Sequence, residues 1–217
     1  MLGGVIFDFD GVIADSHPAH MQAWKALLLS KGKKIDDAAL SFVREGAKRE
    51  EILGHFFGEL TPEQITSYGA EKDKLFQARA SELKLVRGFA EFLLQLDDLG
   101  LPSAVATSGS RRRVEQALQT FNLRSRFRAV MTSEDVGRGK PDPALFLLAA
   151  QALQVDPNRI LVCEDAVAGI VAAKRAGMRC VGIAANGRES MLKQAGADLV
   201  VEDFTHIHLD DIRQFFA

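Results

Sequence analysis

Six short apolar runs punctuate the chain: residues 4–10 (GVIFDFD), 102–108 (PSAVATS), 128–133 (RAVMTS), 159–165 (RILVCED), 178–185 (MRCVGIAA) and 198–203 (DLVVED). Each has the length of a strand. From about residue 88 onward they alternate with stretches whose apolar residues recur at helical spacing, near 88–99, 111–121, 143–154, 167–176 and 189–195. Strands alternating with helices of this length predict a parallel sheet with helices on both faces. Residues 17 to 84 break the alternation and carry helical signals only. HPAHMQAWKALLLSKG has apolar residues at helical spacing and stops at Gly32. Thr61-Pro62-Glu63-Gln64 has the form of a capping box, with Thr61 as N-cap, Pro62 at N1 and Gln64 at N3. A polar-rich helix should follow it to about Leu83. The pattern predicts an α/β core from 1–15 and 86–217, and a helical domain, 16–85, inserted after the first strand.

The first run poses a chemical problem. Asp8 and Asp10 lie in an otherwise apolar strand, and side chains at i and i+2 of a strand point to the same side. An Asp10-Gly11 turn explains Asp10 alone. Two carboxylates side by side are costly unless a cation or a proton intervenes. In open α/β sheets ligands bind outside the carboxyl ends of the strands, and the other strand ends are rich in chemistry. One carries Thr107-Ser108-Gly109-Ser110 before a helix, the next loop carries GRGKPDP with Lys140, and a third ends in Glu164-Asp165. Singly, each has a plain structural reading: an N-cap, a solvated lysine, a carboxylate on a helix dipole. GRGKP is not a phosphate-binding P-loop, because Pro141 stands where Ser or Thr is needed. Taken together, the groups suit a hard cation such as Mg²⁺ held by oxygen ligands. They also suit a carboxylate nucleophile forming an aspartyl-phosphate. Asp8 would attack and Asp10 would shuttle the proton. Lys140 and backbone N–H groups near Ser108-Gly109 would hold the phosphoryl oxygens.

Composition narrows the partners. The chain has 217 residues, 47% of them hydrophobic and 26% charged, with a net charge of −2. That is an ordinary globular composition with no basic footprint for nucleic acid. The run SRRRVE, with Arg111, Arg112 and Arg113, reads as a solvated helix start. No stretch reaches the roughly 18 apolar residues that span a bilayer, and the N-terminus lacks a basic, signal-like region. Cys163 and Cys180 have no metal-binding spacing and read as buried thiols of a reducing compartment. The expectation is a cytoplasmic monomer with a small-molecule phosphate ester as partner, and neither nucleic acid nor membrane.

At this point the sequence resembles the haloacid dehalogenase superfamily, in its phosphatase and β-phosphoglucomutase-like branch with a helical cap after strand one. DFDGVIADS resembles the family's first motif, VATSGS the second, GKPDP the third and CEDAVAGIVAAKRAGM the fourth. The resemblance implies a Rossmann-like core and Mg²⁺ as cofactor. It makes Asp8 nucleophile and metal ligand, and Asp10 the acid/base whose backbone carbonyl also binds the metal. Thr107 and Lys140 hold the phosphoryl group, while Glu164 and Asp165 complete the metal site, Asp165 as the direct ligand. Dehalogenating and phosphonate-cleaving relatives lack an Asp at position 10, so phosphomonoester chemistry is implied. In the insert, HPAHMQAWKAL and REGAKREEIL resemble the sugar-phosphate branch, where His20 and Arg49 would be a hinge histidine and an arginine facing a distal phosphate. Both also read as plain surface residues, and Lys48 is an alternative to Arg49. Glu45, Glu50 and Glu51 flank that pair and would weaken a dedicated phosphate site. Arg87-Gly88 stands where relatives carry Pro-Gly, so the hinge lacks proline's stiffness. The function implied is a Mg²⁺-dependent phosphatase of sugar-phosphate or phosphoglycolate-like monoesters. A phosphomutase is the alternative, and a non-catalytic binding protein of the same fold is the rival from another class.

Overall fold

The protein is described from a computed structural model covering residues 1–33, 35, 49–185 and 187–216. Contacts divide it into two units, Met1–Asp15 with Lys84–Ala217, and Ser16–Leu83.

The first unit is built on one sheet. Its strands are β1 (Gly4–Phe7), β4 (Ser103–Ala106), β5 (Ala129–Met131), β6 (Ile160–Glu164), β7 (Arg179–Ile183) and β8 (Leu199–Val201). They pair in the order β5-β4-β1-β6-β7-β8, every pairing parallel. The connecting helices are α4 (Phe89–Asp98), α5 (Arg111–Thr120), α6 (Ala144–Leu153), α7 (Val167–Arg175) and α8 (Glu189–Gln194), with α9 (Leu209–Gln214) after the last strand. Strands covered on both faces read as continuous apolar runs, which is why the sequence shows blocks rather than alternation. Ile6 and Phe7 point to opposite faces. Ile6 joins Leu145, Phe146 and Ala149 of α6 in the larger core. Phe7 is met edge-on by Phe89 at 5.2 Å and also by Phe92 and Phe127, and at a tilt by Phe204. The chain leaves β1 for β4 and β5 on one side, then crosses to β6 on the other. That reversal places the topological switch point beside β1, where such sheets bind ligands.

Two sequence expectations need correction here. β1 ends at Phe7, not at residue 10. The Gly11 N–H donates to the Ala14 carbonyl at 2.8 Å and that of Ile13 to Phe9 at 3.0 Å, with Gly11 at φ +72°. Asp8 keeps one ladder bond, to the Cys163 carbonyl, while the turn carries Asp10 out of the strand, so the nearness of the two carboxylates comes from a loop, not from strand alternation. A two-residue antiparallel pair, β2 (Ala14–Asp15) with β3 (Lys84–Leu85), was also not foreseen.

The second unit holds α1 (His17–Ser30), α2 (Arg49–Phe57) and α3 (Pro62–Gln77). Trp24 and Leu27 of α1 pack with Ile52 and Leu53 of α2. The capping box forms as expected. The Thr61 hydroxyl accepts from the Gln64 N–H at 3.3 Å, and the Gln64 side chain accepts from the Thr61 N–H at 2.9 Å. α3 stops at Gln77 rather than near Leu83. Arg79 folds back onto the Leu75 carbonyl at 2.8 Å, satisfying one of the carbonyls a helix end leaves open. Glu45 and Lys48 lie outside the described residues. Among the described residues no helix is long and apolar enough to cross a membrane.

Candidate active site

The ladder of β1 runs one residue past the strand: the Asp8 N–H donates to the Cys163 carbonyl at 2.9 Å. This sets the Asp8 side chain beside the end of β6. Lys140, from the loop between β5 and α6, reaches the same point. Its ammonium donates to Asp8 Oδ1 at 2.5 Å, Glu164 Oε2 at 2.8 Å and the Ala106 carbonyl at 3.1 Å. An ammonium has three donors, so one buried side chain ties the ends of β1, β4 and β6 together. The ammonium also lies over the Phe146 ring, its Nζ 4.7 Å from the centroid.

Glu164 is anchored on both sides. While Oε2 takes Lys140, Oε1 accepts the N–H groups of Asp165 and Ala166, each at 3.0 Å, at the start of α7. Its side chain lies across Gly169: a Cβ there would sit 1.9 Å from Glu164 Oε2. Asp165 accepts from Arg188 Nη2 at 2.9 Å. Asp10 accepts from Arg113 through both oxygens, at 2.7 and 2.5 Å. Thr107, at the end of β4, is buried. Its N–H donates to the Met131 carbonyl at 3.0 Å, and its hydroxyl accepts from the Gly109 N–H at 3.1 Å. The Gly109 amide, read from sequence as a phosphoryl donor, therefore already serves the turn before α5; Ser108 beside it is exposed.

The electrostatics follow from this crowding. Burial raises the Asp8 carboxyl well above the usual carboxylate range, against the pull of Lys140 and with added repulsion from Glu164, Asp10 and Asp165. Glu164 is raised by burial too, again opposed by Lys140. Burial by itself would lower Lys140, but Asp8 and Glu164 outweigh it and hold the ammonium charged. Four carboxylates face three cations here, leaving a net negative charge when all are ionised. Asp8, Glu164 and Asp165 each place a carboxylate oxygen within 4.8 Å of the others, all three residues being buried. That donor set, all oxygen and charge-excessive, fits a hard divalent cation.

Arg113 and Arg188 were not anticipated. Arg111 to Arg113 were read as solvated, yet Arg111 pairs with Asp135 at 2.5 Å and Arg113 with Asp10. A signal was present. Cations in the first turn of a helix oppose its dipole, so arginines there point to nearby carboxylates, as found for Arg111 and Arg113.

A buried carboxylate held by a lysine at the switch point of a parallel sheet is an arrangement suited to catalysis, and comparison with known proteins gives the class. The sequence model of the haloacid dehalogenase-like hydrolases matches residues 5–183, and the chain belongs to that family. It is 36% identical over 209 residues to a validoxylamine A 7'-phosphate phosphatase of Streptomyces hygroscopicus subsp. limoneus, covering 93% of this chain and 94% of that protein. It is 34% identical to a β-phosphoglucomutase of Bacillus subtilis, covering 95% and 92%. The crystal structure of a family IA, variant 3 hydrolase from Entamoeba histolytica superposes with a TM-score of 0.88, at 25% identity and 99% coverage of both chains.

The helical unit holds the two remaining residues singled out from sequence. His20 stacks on Phe76 with centroids 4.2 Å apart, and its Nδ1 lies 2.7 Å from Nζ of the buried Lys72. Arg49 pairs with Asp73, its Nη2 at 2.9 and 2.8 Å from the two carboxylate oxygens. Its Nη1 lies where a Cβ on Gly69 would come within 2.6 Å.

Proposed function

We propose that the protein hydrolyses small organic phosphomonoesters, of the sugar-phosphate or phosphoglycolate-like kind, through an aspartyl-phosphate on Asp8, as a cytoplasmic monomer. The observation that carries this reading is the Lys140 tripod, which aims a buried carboxylate while supplying the positive charge an anionic phosphoryl group needs. An Asp8 oxygen attacks phosphorus, the ester P–O bond breaks, and the departing oxygen takes a proton from Asp10. Water then attacks phosphorus and gives its proton to Asp10. The bond to Asp8 breaks and phosphate leaves. Thr107 and Lys140 hold the phosphoryl oxygens through both steps, with Ser108 and Gly109 lining that end of the site. Asp8, Glu164, Asp165 and the Asp10 carbonyl would hold Mg²⁺, which supplies Lewis-acid stabilisation of phosphoryl charge. The helical unit acts as the cap that selects the ester, and His20 belongs to that selection.

The likeness to a β-phosphoglucomutase supports a second reading, phosphoryl return to a bound sugar. Arg49 is the residue that would hold the second phosphate, and its pairing with Asp73 supports hydrolysis instead. Supplying β-glucose 1-phosphate with a trace of 1,6-bisphosphate separates the two, because hydrolysis releases phosphate faster than glucose 6-phosphate forms.

The direct test is turnover of an aryl phosphate and a panel of metabolite monoesters by the wild type and by Asp8→Asn. The wild type should lose activity on chelation and regain it with Mg²⁺, and Asp8→Asn should fold yet not turn over. Activity retained by folded Asp8→Asn would refute the reading, and an inert wild type would leave the non-catalytic alternative standing.

A further inference from the structure

Three separate features of the core converge on one guanidinium. Arg113 is the third residue of α5, and only 16% of its side chain is exposed. Its fork takes both oxygens of Asp10. Its Cζ lies 5.8 Å from the centroid of the Phe9 ring. A Cβ at Gly109 would come within 2.2 Å of its Nη2, so residue 109 is bare where the guanidinium passes. Asp10 itself stands on a turn rather than in the sheet, since β1 ends at Phe7 and Gly11 has φ +72°. The sheet therefore does not fix the plane of its carboxylate, whereas a two-pronged fork does.

We propose that Arg113 is a positioning residue that holds the Asp10 carboxylate for the hydrolysis of the phosphoenzyme. The inference rests on the aspartyl-phosphate reading above. Each carboxylate oxygen has two lone-pair sites, and the fork occupies one on each. The fork favours the ionised carboxylate, so the clamped form is suited to accepting a proton. In the step concerned, water oxygen bonds to phosphorus, the Asp8–phosphorus bond breaks with its pair going to Asp8, and the water proton passes to Asp10. That proton loosens the fork and leaves with the alcohol of the next ester, so nothing else is consumed.

The test uses an aryl phosphate whose phenolate departs without a proton, so that phosphorylation of Asp8 proceeds without help from Asp10. On rapid mixing, Arg113→Ala should release one phenolate per enzyme in a burst. Steady-state turnover should then be slower than wild type by roughly 10²-fold, the scale of general acid–base work. KM should not rise. Arg113→Lys keeps the charge and much of the stem against Phe9 but lacks the fork, so it should show the same burst. Millimolar guanidinium, not ammonium, should speed the steady state of Arg113→Ala. Slowing without a burst, wild-type turnover in folded Arg113→Lys, or equal rescue by ammonium would each overturn the assignment of Arg113. Absence of a phosphoenzyme from wild type and variants alike would overturn the aspartyl-phosphate reading, and this inference with it.

Discussion

Lys140 shows how much one side chain can carry. It pairs with two buried carboxylates at once and closes a hydrogen bond to the end of β4. Removing one partner of such a set strands the others in the interior, which costs about 3–5 kcal/mol. Lys140→Ala should therefore lower both stability, measured by urea unfolding, and turnover, the latter by roughly 10²–10³-fold as for loss of a preorganised donor. Lys140→Arg should not rescue turnover, because a planar fork cannot send three donors to three converging strand ends. Most of this was legible in the sequence. Asp8, Asp10, Lys140, Glu164 and Asp165 stand at the ends of apolar runs, where charge needs a reason. Arg113 and Arg188 were not, since arginine is common on helix surfaces and only the opposed dipole marked the first of them. The Gly109 N–H has a local task that the sequence does not display, donating to the Thr107 hydroxyl.

At the scale of elements, Asp198 ties three pieces of the sheet's far side. It accepts from Lys174 of α7, from Arg179 at the start of β7 and from the Cys180 N–H, at 2.8, 2.9 and 2.8 Å. Burial opposes its charge, but these partners prevail and hold its carboxyl below the usual range. A carboxylate depressed on folding contributes stability above its unfolded pKa, about 3.9, and that stability is lost as pH falls through the lower folded value. Asp198→Asn should cost about 1–2 kcal/mol at neutral pH, allowing for solvent screening. It should also flatten the dependence of stability on pH across the acid limb. Urea unfolding at a series of pH values checks both. The strands and helices of this unit were readable because buried parallel strands leave apolar blocks. The ends were less so: β1 stops at Phe7, just before the turn from Phe9 to Ala14, and α3 stops where a side chain, Arg79, closes it. The pair β2–β3 is two residues long on each side, too short for periodicity to reveal.

At the scale of the molecule, the order β5-β4-β1-β6-β7-β8 accounts for the placement of the chemistry. Reversal beside β1 opens the crevice, and each neighbouring strand delivers its polar end there: Asp8 after β1, Thr107 after β4, Glu164 at the end of β6. The linear sequence separates these residues by up to 156 positions, from Asp8 to Glu164, and the four-motif resemblance joined them before any coordinates did. The central claim is that Asp8 carries the phosphoryl group. The measurement that tests it most directly is rapid quenching of the turning-over enzyme, reduction of any acyl phosphate with borohydride, and mass spectrometry of the peptide spanning residues 1–25. Reduction should convert residue 8 alone to homoserine, in an amount that rises when Arg113→Ala slows the second step. Turnover with residue 8 unmodified, or with the reduced residue elsewhere in the chain, would contradict the account.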